Sequence, residues 1–200
     1  MFIAGLTGNY GMGKSFVLSL FRELGAATID SDGIVDSLLR EKKVLDYTVK
    51  LLGPGVVDEE GNLDRKEVAE RIFNDPVSKK GLEAFLHPMV FERMDRLIDS
   101  VKEKNRIIIV EVPLLFEGNY RARFRKVITV YADEETALKR LEDGGVPRSG
   151  ALLRLNSQMP IGRKKEMADY TIDNNGSRED TRQQVKTVYM SLLEDMKKRP

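Results

Sequence analysis

The residues best suited to chemistry lie near the start of the chain, in a glycine-rich stretch that ends in Lys14 and Ser15. Residues 8–15 match the pattern G-x-x-x-x-G-K-S/T, after a short apolar run and before a segment of helical periodicity. Strand, glycine loop and helix in this order form a loop whose backbone N–H groups surround phosphate oxygens. Lysine neutralises the outer phosphates there, and serine offers a hydroxyl to Mg²⁺. The stretch predicts a nucleoside triphosphate site; the alternative is a glycine-rich turn with an exposed lysine.

Carboxylates follow the second and third apolar runs. Asp30 and Asp32 are two residues apart, so an extended segment through both would place their side chains on one side. That end of a parallel strand is where ligands bind, and we expect a catalytic or Mg²⁺-related role for at least one of them. The alternative is that one caps the helix predicted over residues 33–40. Glu111 ends the third run as a Walker B acid does, or is a carboxylate satisfied at a strand end.

Positive charge is concentrated between residues 140 and 165, where glycines and a proline interrupt the chain. This pattern is typical of a kinase lid, which closes over the phosphates and brings arginines to the transferring group. Arg140, Arg148 and Arg154 are the candidates, and Lys164 belongs to the same positive region. The alternative is a solvated surface helix.

Two polar features are weaker signals. His87, the only histidine, precedes Pro88, which suits the first turn of a helix and would push His87 out of helical geometry. A single histidine is usually structural, so its direct role stays open. Asn175 lies in a turn after the last predicted strand, where its amide could meet an adenine; the alternative is a simple Asn-Gly turn.

The elements that position these residues alternate between strand and helix patterns, which predicts an α/β fold. The five predicted strands cover residues 2–6, 26–32, 106–113, 126–132 and 168–173. Residues 33–104 have helical patterns only and are predicted to form an insertion that covers a substrate. The predicted core is therefore residues 1–32 with 105–200, and its lid is residues 141–166.

Composition excludes several classes. The chain has 200 residues, 41% hydrophobic and 32% charged, with a net charge of +1 that gives no sign of a nucleic-acid partner. There is no cysteine, so disulfides and thiolate chemistry are excluded. No leader segment and no apolar run near the roughly 18 residues of a membrane span occur, so we expect no membrane association and a cytoplasmic location. Nothing in the sequence indicates an oligomeric state.

Several segments together resemble the dephospho-coenzyme A kinase family over nearly the whole chain. They are residues 6–15, residues 29–32, Leu86-His87-Pro88, residues 112–117, Arg154 four residues before Gln158, and residues 168–176. The phosphate-binding loop alone would not separate this family from other small kinases, but the other segments do. In two places the chain departs from the family: Phe16 replaces a common threonine, and residues 141–145 lack an arginine common in relatives.

The resemblance implies ATP-dependent phosphorylation of the ribose 3′-hydroxyl of dephospho-coenzyme A, the last step of coenzyme A synthesis. It also implies a P-loop kinase fold, with a five-stranded parallel sheet, a helical coenzyme A-binding insertion at residues 33–104, and a lid. By family match, Asp32 accepts the hydroxyl proton, while Asp30 orients the hydroxyl or supports the metal. The expected partners are ATP, with Mg²⁺, and dephospho-coenzyme A.

The predicted site has four groups of residues. The catalytic group is Lys14, Asp32, Arg140, Arg148 and Arg154. The ATP-binding group is Gly8, Gly11, Met12, Gly13, Lys14, Ser15, Phe16 and Asn175. The substrate-binding group is Asp30, Asp32, His87, Pro113 and Leu114. Mg²⁺ is expected on Ser15, with Asp30 or Glu111 acting through water.

Rival functions remain at this stage. The nearest is another P-loop small-molecule or nucleoside monophosphate kinase. A GTPase-like switch needs an Asn-Lys-x-Asp guanine-recognition sequence, which the chain lacks. An ATP-binding module without catalysis would leave Asp30 and Asp32 unexplained.

Overall fold

The structure is a computed structural model that describes residues 2–101 and 106–198. Its helices and strands divide between two compact units, Met1–Asp30 with Ser100–Pro200, and Ser31–Asp99. The division falls after residue 30, whereas the sequence placed it after residue 32. The predicted return to the core at residue 105 lies outside the described residues.

A single sheet organises the first unit. Five parallel strands lie in the order β2-β3-β1-β4-β5, which confirms the predicted α/β fold with a five-stranded parallel sheet. Their bounds are β1 Phe2–Thr7, β2 Ala27–Asp30, β3 Ile107–Glu111, β4 Lys126–Tyr131 and β5 Tyr170–Asp173. All five residues of β3 are buried, because helices cover both faces of a parallel sheet and leave no strand face for water.

Helices surround this sheet and also build the second unit. In the first unit they are α1 Lys14–Glu23, α6 Glu134–Asp143, α7 Arg148–Asn156, α8 Ile161–Met167 and α9 Arg178–Lys197. The second unit holds α2 Ser31–Leu38, α3 Lys42–Leu52 and α4 Arg65–Asn74. It also holds the long helix α5 Pro76–Val101 except for the last two residues of that helix. Along the described residues, no helix has both the length and the apolar character that a membrane crossing would require.

The second unit has a small core of its own. Val56, Leu63, Val68 and Leu82 are buried together. Helix α4 begins at Arg65, because the carboxylate of Asp64 accepts hydrogen bonds from the backbone N–H groups of Lys66 and Glu67 and so caps the helix.

One sequence prediction about the aspartates is wrong. Strand β2 ends at Asp30, and α2 begins at Ser31, so Asp32 lies in the first turn of a helix. The strand alternation that was to place both carboxylates on one side therefore does not reach Asp32. A carboxylate in the first turn interacts favourably with the helix dipole, which favours an early start of α2.

The prediction for Pro88 is also wrong. Pro88 lies inside α5 and His87 is helical, and both residues are exposed. The helix instead begins at Pro76, where Asp75 accepts hydrogen bonds from the N–H groups of Val77 and Ser78. An internal proline removes one backbone hydrogen bond, but apolar residues buried on both sides of it keep the helix continuous.

A half-buried tyrosine joins α9 to the edge strand β5. The Tyr170 hydroxyl donates a 2.7 Å hydrogen bond to Oδ2 of Asp195. Burial, and then this bond, raise the pKa of Tyr170 to about 12, from an ordinary value of 10.0. The folded chain therefore keeps the phenolic proton over a pH range in which the unfolded chain loses it.

We predict that Tyr170→Phe lowers the free energy of unfolding by about 1 kcal/mol below pH 10, through the lost hydrogen bond. Because the pKa is raised in the folded state, this stabilisation is complete below the unfolded pKa and is lost as pH rises through about 12. Denaturant unfolding of both proteins from pH 8 to 12 measures the difference. A difference that stays constant over this range would contradict the assignment.

Candidate active site

Residues 8–15 connect β1 to α1, and the loop can close only where glycine leaves space. Gly13 is the N-cap residue of α1 with φ 87°, and a Cβ atom there would overlap Nδ2 of Asn174. A Cβ atom at Gly8 would overlap the backbone oxygen of Val130 in β4. The loop therefore lies directly against the carboxyl edge of the sheet, with no side chain in between.

The start of α1 is built to receive an anion. No side chain caps this end of the ten-residue helix, so its first N–H groups point into the loop. Nζ of Lys14 lies across the loop, 3.3 Å from the backbone oxygen of Asn9, to which it donates. Ser15 is exposed at the same end. Amides, ammonium and hydroxyl therefore converge as a phosphate site requires.

Three other predicted ATP-binding residues have different surroundings. Gly11 has φ 76° and completes the curl of the loop. Met12 is buried beside Ala132 and Ala137, so only its backbone can serve a nucleotide. The Phe16 ring has the guanidinium of Arg178 5.0 Å from its centroid.

The asparagine that contacts the loop is Asn174, next to the predicted Asn175. Its side chain is buried, where Nδ2 donates to the Met12 backbone oxygen at 2.9 Å and Oδ1 accepts from Thr181 at 2.9 Å. Asn175 instead accepts from the Asp133 N–H and donates to Asp173, so it ties the turn to the start of α6. Sequence reasoning chose the neighbour because two adjacent asparagines in a turn give no sign of which one is buried.

The three candidate arginines separate into two groups. Arg140 donates to the backbone oxygen of Asn174 at 2.7 Å, and its Nη1 is buried without a hydrogen-bond partner among the described residues. Arg154 donates to the hydroxyl of Tyr10 in the loop at 3.1 Å. Arg148 instead pairs with Glu135 at 2.7 Å and with Glu142 at 3.2 Å. Its hydrogen bond to Glu135 raises the pKa of Arg148 and lowers that of Glu135.

Sequence reasoning missed the residues that join the loop to the segment after α7. The Tyr10 N–H donates to Oε1 of Gln158 at 2.8 Å, and Nδ2 of Asn9 donates to the Met159 backbone oxygen at 3.1 Å. The signal available was Gln158, which the sequence places four residues after Arg154.

Two acidic residues lie side by side at the carboxyl edge of the sheet. Asp30 at the end of β2 is in register with Glu111 at the end of β3, and Glu111 is in register with Leu6 of the central strand. Asp30 is exposed and Glu111 is buried. No group of three or more His, Asp or Glu side chains able to hold a metal occurs within residues 2–101 and 106–198.

This donor set fits the predicted Mg²⁺. In phosphoryl-transfer sites the ion keeps several waters and binds one or two protein oxygens together with substrate phosphates. The Ser15 hydroxyl at the loop and a carboxylate on an adjacent strand are donors of the required kind. Mg²⁺ needs no sulfur or nitrogen ligand.

A buried lysine binds the backbone of Pro113, which the sequence predicts to bind the substrate together with Leu114. The Pro113 backbone oxygen accepts from Thr7 Oγ1 and from Lys164 Nζ, both at 3.0 Å. The Lys164 side chain is fully buried and pairs with Glu117 at 2.8 Å. Burial lowers the pKa of Lys164, although Glu117 opposes the shift. Lys164, which the sequence grouped with the positive charges of the predicted lid, is therefore an interior residue that binds the backbone of Pro113.

The remaining predicted residues belong to the second unit. Asp32 is exposed in the first turn of α2, and His87 is exposed on α5. The structure thus gathers the loop, Asp30, Glu111, Pro113, Arg140 and Arg154 within the first unit. Asp32 and His87 are positioned by helices of the other.

With this geometry in place, comparison with known proteins identifies the family. The family model described as dephospho-CoA kinase matches residues 2–180. The chain belongs to the dephospho-CoA kinase family. The match favours this family over the predicted alternative, another P-loop small-molecule or nucleoside kinase.

Individual relatives agree with the match. A dephospho-CoA kinase from Aquifex aeolicus is 40% identical, over 96% of this chain and 97% of its own length. The crystal structure of a protein from Thermus thermophilus is 34% identical with a TM-score of 0.81, covering 96% of this chain and 97% of that one. The dephospho-CoA kinase from Campylobacter jejuni is 29% identical with a TM-score of 0.71, covering 96% and 98%.

Gly13→Ala tests whether the loop depends on its contact with Asn174. We expect ATP affinity to fall at least about 10-fold, because the new methyl group displaces Asn174 and opens the loop. Isothermal titration with Mg·ATP measures the affinity.

The matched control is Gly145→Ala. Gly145 has φ 83°, close to the φ 87° of Gly13, but among the described residues no atom lies within 4 Å of a Cβ placed there. The backbone strain is therefore similar, and ATP affinity should be unchanged. Equal losses of affinity in the two variants would show that strain, and not the Asn174 contact, matters.

Proposed function

We propose that this chain transfers the terminal phosphate of ATP to the ribose 3′-hydroxyl of dephospho-coenzyme A, which completes coenzyme A. It is then a phosphotransferase with an alcohol as acceptor. Family membership supports the substrate pair, and the observation that carries the chemistry is the glycine loop closed against Asn174 with Lys14 across it. The predicted cytoplasmic location stays a prediction.

The loop has the groups needed to bind and polarise the triphosphate. Backbone N–H groups of residues 11–15 hold the phosphate oxygens, and Lys14 neutralises charge that develops on the transferring group. Ser15, with Asp30 or Glu111 through water, would hold the Mg²⁺ ion. When bound, that ion supplies charge neutralisation at the phosphates.

Asp32 is the proposed base for the acceptor. Its carboxylate is exposed in the first turn of α2, so an acceptor hydroxyl can reach it and transfer its proton there. Asp30, two residues earlier at the end of β2, orients the hydroxyl or supports the metal. His87, Pro113 and Leu114 are proposed acceptor-binding residues.

Arg140 and Arg154 are the arginines proposed for the transferring phosphate. Both lie at the loop, and the buried Nη1 of Arg140, which has no hydrogen-bond partner among the described residues, is a donor that a nucleotide would satisfy. Arg148 already meets two carboxylates, and its charge is largely balanced by them. Its predicted catalytic role is therefore the weakest of the three.

The proposed reaction is tested by ADP release. Addition of dephospho-coenzyme A to the chain with Mg·ATP should start ADP formation, and mass spectrometry should show a product heavier by one phosphate. Nucleoside monophosphates should give little turnover. Turnover with those compounds but not with dephospho-coenzyme A would favour the other kinase.

Asp32→Asn tests whether Asp32 acts as the general base without taking part in ATP binding. A positioned general base contributes about 10²–10⁴ in rate, so kcat should fall by roughly that factor while ATP affinity stays nearly unchanged. Asp46→Asn, an exposed aspartate on α3, is the control and should keep its rate. An unchanged kcat for Asp32→Asn would remove this residue from the role.

A further inference from the structure

The side chain of Tyr10 holds Arg154 in two ways. Nη1 of Arg154 donates to the Tyr10 hydroxyl oxygen at 3.1 Å, and its guanidinium carbon lies 5.0 Å from the centroid of the ring. A guanidinium on an aromatic face is attracted by the ring quadrupole. One residue of the phosphate-binding loop therefore fixes both the position and the plane of an arginine on α7.

Two other hydrogen bonds join the phosphate-binding loop to residues 158 and 159, which follow α7. The N–H group of Tyr10 donates to Gln158, and Asn9 donates to the backbone of Met159. Neither bond involves the tyrosine side chain. Replacing that side chain should thus release Arg154 while the loop and the segment after α7 stay joined.

The charge of Arg154 has a neutral partner, unlike the charges of Arg148 and Arg163. Arg148 pairs with two glutamates, and Arg163 pairs with Glu166 at 3.0 Å. Within the part of the chain that the structure describes, Arg154 has no carboxylate in an ion pair. A phenol and an aromatic face orient the guanidinium without neutralising it, so its full charge remains for an anionic ligand at the loop.

We infer that Tyr10 is a positioning residue, which holds Arg154 where it meets the terminal phosphate of ATP. The inference rests on the proposed function, because it takes ATP as the ligand of the loop. The competing explanation is packing alone: the Tyr10 ring also contacts an apolar cluster that contains Leu138, Ala151 and Leu155. The two explanations differ in whether a change of Tyr10 alters the affinities for ATP and for ADP by the same factor.

The test measures the ratio of the dissociation constants for ADP and ATP, with Mg²⁺, on the full chain without acceptor. Arg154→Gln should lower this preference for ATP about 10-fold, because only ATP carries the phosphate that Arg154 meets. Tyr10→Phe, which keeps the ring, should lower it about 3-fold, and Tyr10→Leu about 10-fold. In the Arg154→Gln background, Tyr10→Leu should cause no further change.

A packing role predicts other results. The Tyr10 variants would then weaken the binding of ATP and ADP equally and leave the ratio of dissociation constants unchanged. Alternatively, Tyr10→Leu would have its full effect on the ratio even in the Arg154→Gln background. Either result overturns the inference. Tyr10→Phe preserves the packed ring, so it keeps the test decisive if Tyr10→Leu fails to fold. The control is Arg163→Gln, which removes the charge of an exposed arginine in the next helix, α8. This variant should keep the wild-type ratio.

An error in the proposed acceptor can be told apart from an error in the role of Tyr10. If the wild-type chain forms no product from dephospho-coenzyme A, the acceptor assignment is wrong, but the nucleotide ratio still tests Tyr10. If product forms, kcat should fall in the order wild type, Tyr10→Phe, Tyr10→Leu, with the KM for the acceptor unchanged. A raised acceptor KM with unchanged kcat contradicts the positioning role.

Discussion

The direct contact between the phosphate-binding loop and the carboxyl edge of the sheet is the constraint on which the rest of the site depends. Because Gly8 and Gly13 have no side chain, the loop approaches the Val130 backbone and the Asn174 amide closely enough for direct contact. Asn174 in turn binds Met12 and receives Arg140 at its backbone oxygen. The nucleotide site is thus a property of the central sheet edge, set by backbone approach more than by exposed side chains.

An ion pair extends this arrangement toward the segment that carries the arginines. Lys164 is fully buried and pairs with the half-buried Glu117. Lys164 also binds the backbone of Pro113, and Glu117 binds the backbone of Met159. Met159 also accepts from Asn9 of the loop. An ion pair in such a place is weak support for stability, since both charges lose water. The ion pair instead fixes the local geometry, because Lys164 and Glu117 each also form a hydrogen bond with a backbone atom.

Much of the fold could be predicted from sequence because its signals are local. Apolar β-branched runs such as the one ending at Glu111 identify buried strands, and the loop pattern identifies the first helix. The errors arose where two local rules compete or where tertiary contacts decide. Asp32 fits a strand end or a helix start equally well, and Pro88 is tolerated in α5 because buried neighbours outweigh one lost hydrogen bond. Burial of Asn174 and Lys164 has no sequence signal, since their partners are distant in the chain.

In the proposed mechanism, the loop holds the triphosphate while Asp32 receives the proton of the acceptor hydroxyl. A crystal structure with a non-hydrolysable ATP analogue, Mg²⁺ and dephospho-coenzyme A tests it most directly. We expect the terminal phosphate to lie against Lys14 and an Asp32 carboxylate oxygen to lie within about 3.2 Å of the ribose 3′-oxygen. An acceptor hydroxyl bound to another base, with Asp32 turned away from it, would rule out this mechanism.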